Sequence, residues 1–279
     1  MKILHLSSER NWRGGENQLV LLVSNLPGNI GSIVAAPKGS AILSRLEQGF
    51  ETREIACRGA LDIRSVFVVR RLVKDRGIDL IHAHTSKAHE VGLLACFLTG
   101  IPLVVSRRVA FPISGGWKYR RADRLIAVSA AASAELRKVG VPPARIVVIH
   151  DAVDPKAAQE SRAERAGASG SEVLVLCAAA FAGEKDHQLL LDAWRIVEDS
   201  APRGRLHLAG DGPLRDSIVE GIRKRGLKRV HLLGWRNDVA QLLQGADIVT
   251  LSSREEGFAS VLCEAQMKGK PVVATRAGG

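Results

Sequence analysis

The residues best placed to do chemistry lie late in the sequence, in Asp247-Ile-Val-Thr-Leu-Ser-Ser-Arg-Glu-Glu-Gly-Phe-Ala-Ser-Val-Leu-Cys-Glu-Ala-Gln-Met. The stretch reads as an apolar strand, an acidic-glycine loop and a helix, and a second apolar strand with a glycine turn follows. In a βαβ unit the loop at a strand's carboxyl end is where ligands sit. The pattern predicts a helix opening at Gly257 and Phe258, whose unpaired N–H groups would face an anion such as a phosphate. Glu256 stands at the mouth of the loop. Glu264 lies about two turns on, roughly 12 Å along the axis at ~1.5 Å per residue. Ionised carboxylates are pure acceptors, so two of them flanking such a helix start suit a ligand with phosphate in its middle and hydroxyls at both ends. A nucleotide-sugar has that shape. The plain alternative is a surface acidic turn followed by an ordinary helix.

A second candidate follows the first apolar run, Lys2–Ser8, where Trp12-Arg13-Gly14-Gly15-Glu16-Asn17 reads as a loop before a helix over Gln18–Leu26. Strand, glycine loop and helix give the layout of a phosphate-facing turn, but the spacing is not G-x-G-x-x-G, and glycines needed only for a tight turn fit as well. His82 and His84 form an H-x-H pair with no third ligand in view, so they read as strand residues and no metal is expected. Two clusters carry much of the positive charge. One is Trp117-Lys118-Tyr119-Arg120-Arg121 with Arg107, Arg108 and Arg124, and the other is Arg70, Arg71, Lys74 and Arg76. Each is either a solvated helix face or a contact for anionic lipid headgroups or an acidic or phosphorylated glycan.

The elements that must position these groups alternate. Strands are expected at Ser32–Ala36, Glu51–Cys57, Asp79–His84, Pro102–Ser106, Leu125–Val128 and Arg145–Ile149. Helices are expected at Ala41–Gln48, Ile63–Arg76, Lys87–Leu98 and Ala130–Val139, with a brief basic helix around Trp117–Ala122. After a polar stretch from Lys156 to Ser171, read as a linker or an exposed helix, a second series begins. Its strands are Val173–Ala179, Arg205–Ala209 and Val230–Leu233, and its helices His187–Asp199, Pro213–Arg225 and Asp238–Gln244. Such alternation predicts parallel sheets covered on both faces. We expect an α/β chain of two Rossmann-like domains, residues 1–154 and 172–279, with a cleft between their strand ends. A doubly wound domain rarely stops at a strand's glycine turn, because the last strand then lacks its covering helix. The second domain is therefore expected to be truncated at its C-terminus.

The composition fits this frame. In 279 residues, 46% are hydrophobic and 25% charged, which suits a globular chain with an ample core. Four cysteines without C-x-x-C spacing favour buried thiols in a reducing compartment over disulfides or zinc. The N-terminus is too short in apolar residues for a signal peptide, and no run reaches a membrane span, so a cytoplasmic location is expected. A net charge of +11 calls for an anionic partner or a structural explanation, while 4% aromatic residues and the absence of a helix-turn-helix, zinc or RNA-binding signature argue against nucleic acid.

Together these residues resemble the retaining nucleotide-sugar glycosyltransferases of family 4, group 1, which have the two-domain GT-B fold. The likeness runs along the whole chain. It rests on Gly14-Gly15-Glu16, Ala127-Val-Ser129, Asp151-Ala-Val-Asp154, Glu184-Lys185-Asp186-His187, Gly210-Asp-Gly-Pro213, and Glu256-Gly-Phe…Glu264 with the Gly-Lys-Pro-Val-Val-Ala-Thr-Arg-Ala-Gly-Gly that follows. The resemblance implies that Glu256 meets the donor sugar's hydroxyls, that Glu264 meets the ribose, and that Lys185 holds the diphosphate, with Gly14, Gly15, Gly257 and Phe258 around the donor. It implies retention by same-face attack without an enzymatic nucleophile, no cofactor beyond the donor and no metal, since the D-x-D of the other transferase fold is missing. It places a glycan or lipid-linked acceptor on the first domain, near Arg107, Arg108, Trp117, Lys118, Arg120 and Arg121, with an anionic membrane surface as a further partner. That points to envelope polysaccharide or lipopolysaccharide synthesis on the inner face of the cytoplasmic membrane.

Three departures from the family's pattern stand out. Ala178-Ala179-Ala180 lacks the arginine most members carry before the lysine. Arg107-Arg108 replace a histidine, leaving His84 as the candidate catalytic imidazole or else a buried core residue. His150-Asp151-Ala152 replaces the usual Asn-Gly. A nucleotide-sugar epimerase on the same fold, or a basic binding protein with a decayed donor site, are the alternative readings.

Overall fold

Short apolar runs, separated by helices long enough to cross back, leave parallel pairing as the outcome, because a hairpin turn cannot join strands that point the same way. The computed structural model describes residues 1–46, 49–154 and 172–279. Every strand pair among them is parallel. The chain divides into two compact units, Met1–Ala152 and Val153–Gly278.

The first unit runs β1 (Lys2–Leu6), α1 (Gly14–Ser24), β2 (Gly31–Ala36), α2 (Ala41–Leu46), β3 (Glu51–Glu54), α3 (Ile63–Arg76), β4 (Leu80–Ala83), α4 (Ser86–Thr99), β5 (Leu103–Arg107), β6 (Arg124–Ala127), α5 (Ala130–Lys138) and β7 (Ile146–Val148). Its seven strands lie in the order β3-β2-β1-β4-β5-β6-β7. On one side Leu19, Val23, Ile42 and Leu43 of α1 and α2 cluster with Val34 and Ala36 of β2. On the other, α4 comes close enough at Gly92 that an added Cβ would lie 3.2 Å from Leu103 and 3.3 Å from Ile81.

The second unit runs β8 (Val173–Ala178), α6 (His187–Ser200), β9 (Gly204–Ala209), α7 (Arg215–Lys224), β10 (Val230–Gly234), α8 (Val239–Gly245), β11 (Ile248–Leu251), α9 (Ser260–Met267) and β12 (Val272–Ala274). Its sheet order is β10-β9-β8-β11-β12. Strand alternation splits the core in two. Cys177, Leu206 and Leu208 meet α6 and α7 through Leu190, Leu191, Trp194 and Ile218. Leu176 and Val249 meet α8 and α9 through Leu243 and Ala265. Both sheets reverse their order once, between β1 and β4 and between β8 and β11, and such a reversal opens a crevice at the strands' carboxyl ends.

Several boundaries differ from the sequence reading. The first helix begins at Gly14, so the two glycines form its first turn rather than the preceding loop, and Glu16 caps it by accepting the Arg13 N–H at 3.1 Å. The helix expected to open at Gly257 starts only at Ser260. The third strand stops at Glu54, because Cys57 takes a left-handed φ of 50° and its N–H turns to the Ser65 hydroxyl. The basic helix around Trp117 is a single 3-10 turn, Tyr119–Arg121. The end of the helix expected over Ala41–Gln48 and the linker expected over Lys156–Ser171 lie outside the described residues.

Backbone lacing stiffens the ligand edge of the second unit. Phe181 N–H donates to Asp211 O, Leu214 N–H to Phe181 O and Gly210 N–H to Gly234 O, at 3.0, 3.0 and 2.8 Å. A Cβ on Gly210 would sit 1.9 Å from Ala179 O, and one on Gly212 2.6 Å from Phe181 O. The Gly210→Ala change forces backbone apart, so we expect it to lower the second unit's stability by at least the ~1–3 kcal/mol of ordinary overpacking. A shift in the urea midpoint measures this, and an unchanged midpoint would show that the approach is not tight in solution.

Candidate functional site in the second unit and a histidine cluster in the first

Residues from two loops 71 positions apart meet at the β8–β11 reversal. After β8 the chain makes a 3-10 turn, Gly183–Lys185, and Asp186 takes a left-handed φ of 42° and caps α6 by accepting the Leu189 N–H. That turn aims Lys185 at the loop after β11, where its Nζ donates to Glu256 Oε1 at 2.6 Å. Ser253 Oγ donates to the same oxygen at 2.6 Å, and the Glu256 N–H reaches Ala277 O at 2.8 Å. Glu256 is only 8% exposed. A carboxylate at that burial needs a compensating cation and hydrogen bonds, and Lys185 with Ser253 supplies both. The two loops are further tied by Ser252 Oγ to Lys185 O and Asp186 O, and by Arg254 N–H to Glu184 O.

Gly257 and Phe258 lie in the non-helical segment between Glu256 and α9, with a bend at Gly257, so their amides are not the first turn of a helix. Glu256 is held from both sides, its carboxylate by Lys185 and Ser253 and its N–H by Ala277 O, and the chain turns at Phe258, whose carbonyl accepts the Ser260 N–H, before α9 begins. The ~12 Å helical spacing expected between Glu256 and Glu264 does not apply, since only the last part of that interval is helical. Glu264 sits half-buried on α9, and burial raises its carboxyl above the usual range against the opposing pull of Lys268 one turn on. Sequence reasoning missed Arg254. Its Nε donates to Asp186 Oδ2 at 2.6 Å while its side chain stays 71% exposed. The signal was present: a basic residue in the loop at the order reversal.

In the first unit, the β1–β4 reversal holds Gly14, Gly15 and Glu16 after β1 and His84 after β4. His5 and His82 are register partners on these strands, so their rings share a face with His84 two residues on. Sequence reading saw no third ring beside His82 and His84. Strand pairing supplies His5. Among the described residues these three form the one group of His, Cys, Asp or Glu side chains close enough to share a metal, with ligand atoms within 4.8 Å of one another.

Their hydrogen bonds argue for another role. Arg108 has only donors, so its Nη1 at 3.2 Å makes His84 Nδ1 an acceptor. The neutral ring then carries its proton on Nε2, which faces His5 Nδ1 at 3.1 Å, and His5 turns its own Nε2–H toward Ser32 Oγ at 3.5 Å. His82 Nε2 is paired with Ser106 Oγ at 2.8 Å. The result is a directional wire anchored by Arg108, which also pairs with Asp151 at 3.2 Å. Burial first, then neighbouring cationic groups, holds His82 and His84 well below the usual histidine range and His5 down at about 4. Both ring nitrogens of His84 are engaged, one with Arg108 and one with His5.

The basic segment expected to form a contact surface is divided: Lys118 and Tyr119 are buried and Arg107 and Arg108 partly so, while Trp117, Arg120, Arg121 and Arg124 are exposed. Lys118 is buried and donates to Glu90 Oε1 and Ser86 Oγ, both at 2.7 Å. Arg107 donates to Tyr119 Oη and Phe111 O. Arg120 donates to Val139 O, and Arg121 lies over the Trp117 ring. A charge run in sequence does not show that its carboxylate partner stands 28 residues earlier.

The comparisons with known proteins bear on both halves. A model described as Glycosyltransferase Family 4 matches residues 12–157, and one described as Glycosyl transferases group 1 matches residues 172–279. EpsF of Bacillus subtilis is 30% identical over 229 residues, covering 74% of this chain and 59% of that protein. The UDP-Gal:alpha-D-GlcNAc-diphosphoundecaprenol alpha-1,3-galactosyltransferase of Escherichia coli is 26% identical over 245 residues, covering 78% and 63%. The crystal structure of Anabaena HepE in complex with UDP and glucose superposes with a TM-score of 0.85 at 26% identity, covering 100% of this chain and 82% of that one. The chain spans about 60% of the length of the Bacillus subtilis and Escherichia coli relatives and of a Methanocaldococcus jannaschii glycosyltransferase, MJ1178.

Acidification tests the histidine wire. A depressed imidazole pKa gives stability that is present above about 6.5 and is lost as pH falls toward the folded value. For His5 that window runs from about 6.5 to about 4, worth up to ~3 kcal/mol at ~1.4 kcal/mol per unit. Glu16 acts oppositely. Burial raises it to about 7, so its contribution is present at low pH and is lost as pH rises through 7. Five buried imidazoles, His5, His82, His84, His89 and His187, against three raised carboxyls, Glu16, Asp151 and Glu264, give a net loss of stability between pH 6.5 and 4. Urea melts should show it, with a shallower loss in His5→Asn. Equal losses in both proteins would exclude the wire as the cause.

Proposed function

Since the chain belongs to glycosyltransferase family 4, group 1, with the two parallel-sheet units of the GT-B fold, we propose that it moves a sugar from a nucleotide-diphosphate donor to a glycan or lipid-linked acceptor with retention of configuration. The observation that carries this reading is the Lys185–Glu256 pair at the order reversal of the second sheet. HepE holds UDP and glucose, and the acceptor named for the Escherichia coli relative is a diphosphoundecaprenol-linked sugar. Both support a nucleotide-sugar donor and a membrane-borne acceptor, and with them a role in envelope glycan assembly at the cytoplasmic face of the membrane. Among the described residues, no helix is long and apolar enough to cross a membrane.

The geometry suggests how the donor is handled. Lys185 has three N–H donors, and one is spent on Glu256 Oε1. The other two are available to diphosphate oxygens as negative charge develops on the leaving group, which is preorganised electrostatic catalysis. Both protein bonds to the Glu256 carboxylate fall on Oε1, leaving Oε2 to accept from sugar hydroxyls. Arg254, tethered beside Lys185 and exposed, is our candidate for the cation that Ala178-Ala179-Ala180 does not provide. In this reading Glu264 on α9 meets the ribose. The leaving diphosphate guides same-face attack, so the reading requires no enzymatic nucleophile, no metal and no cofactor.

Removing Lys185 tests the assignment. Lys185→Ala should lower kcat on the order of 10²–10³, the usual cost of one such contact, and raise donor KM far less. Because the variant leaves a buried carboxylate unpaired, Lys185→Met with Glu256→Gln serves as the fold control. An unchanged kcat in Lys185→Ala would remove the lysine from this role. Absence of any thermal shift across a panel of nucleotide-sugars would sink the transferase reading altogether.

A further inference from the structure

We propose that the outward face of α3 (Ile63–Arg76) and the loop before it form a docking surface for an anionic lipid bilayer. The buried side of α3 is Ser65, Val66, Val69 and Val73. By helical spacing the opposite side carries Ile63, Arg64, Phe67, Val68, Arg71 and Lys74, all exposed. Leu61, just ahead of the helix, is 97% exposed, Ile63 61% and Phe67 55%. The neighbouring helix α4 adds Phe97 at 88%. Arg64, Arg70 and Lys74 make no ion pair or hydrogen bond among the described residues. Arg71 is paired with Asp75, but with both side chains more than half exposed the pair is weak and screened.

The exposed leucine is held in place rather than loosely extended. Asp62 caps α3 by accepting the Ser65 N–H and also accepts the Arg58 N–H, while the Ala60 N–H is bound by Glu90 of α4. Cys57 and Gly59 turn the chain through positive φ. These bonds tie the chain on both sides of Leu61.

The pattern selects the occupant. A protein partner is met by an apolar centre with a polar rim. Here apolar and cationic side chains alternate around one convex face, which suits an interface where Leu, Ile and Phe enter the acyl boundary while Arg and Lys stay with phosphate headgroups. A net charge of +11 adds long-range attraction to an anionic surface. Leu61 also lies in a βα loop, hence at the carboxyl edge of the sheet, the edge that carries His84 and the Gly14–Gly15 turn. A bilayer there would present a lipid-borne acceptor beside the acceptor-side unit. In purpose the inference rests on the membrane-borne acceptor proposed above, but its observations are independent of the donor site.

Flotation with phosphatidylglycerol–phosphatidylcholine vesicles, against phosphatidylcholine alone, tests it. The protein should float with the anionic vesicles only. Arg64→Glu, Arg71→Glu and Lys74→Glu should each lower vesicle affinity roughly five-fold or more, and Leu61→Ser with Phe67→Ser should abolish binding that survives at raised salt. All these positions are exposed, so the variants should keep the wild-type Tm. Arg120→Glu with Arg121→Glu should float as wild type does. Failure of the wild type to float, undiminished flotation of the α3 variants, or α3-dependent self-association in place of vesicle binding would each overturn the proposal. A thermal shift with nucleotide-sugars on the same preparations separates the two readings. A protein that shifts with donor but ignores vesicles loses only the docking face, and one that floats through α3 but shifts with no nucleotide-sugar loses only the transferase.

Discussion

Much of the second unit's ligand edge follows from the cost of burying the Glu256 carboxylate. At that depth a carboxylate needs a paired cation and hydrogen bonds. Lys185 supplies the cation, and the rest of the edge can be read as the apparatus that delivers Lys185 to it. Asp186 bends through a left-handed conformation so that the lysine faces β11 rather than α6. Ser252 clamps the Lys185 and Asp186 carbonyls. Phe181, fully buried, anchors the preceding turn against the glycines that lace it to β9 and β10. An ion pair of this kind adds little net stability. What it holds is a lysine and a carboxylate in register before any ligand arrives.

The first unit meets the same difficulty without a comparable ion pair at its centre. Three imidazoles crowd the equivalent strand ends and remain neutral, with an arginine neutralised by Asp151 fixing the direction of their hydrogen bonds. The units thus share a topology but differ in the polarity of their crevices. One presents a charged pair open to a polyanion, the other an uncharged relay behind an arginine. A shared fold does not entail a shared site.

How much of this was legible in the sequence depends on the range of the interaction. α3 was readable to its ends, because Val66, Val69 and Val73 repeat at helical spacing and Gly77 closes it with a φ of 60°. Parallel α/β architecture followed from alternation alone. What failed was whatever depended on strand order. His5 stands far from His84 in sequence and beside it only because β1 pairs with β4. Lys118 looked like surface charge until Glu90 was found next to it. The helix expected at Gly257 begins later, beyond a Glu256 held by distant groups that no local propensity contains. Lys185 and Glu256 were named together only through family resemblance, since no spacing rule links residues in different βα loops.

The order of the second sheet has a further consequence for how the chain acquires its pocket. Strands β8, β9 and β10 pair in succession with neighbours close in sequence, but β11 must return across them to pair with β8. Pairing of this range closes a long stretch of chain, and each such closure costs conformational entropy before its contacts repay it. The Lys185–Glu256 pair, 71 positions apart, is bound up with that closure. Whatever loosens β11 from β8 parts the two side chains as well.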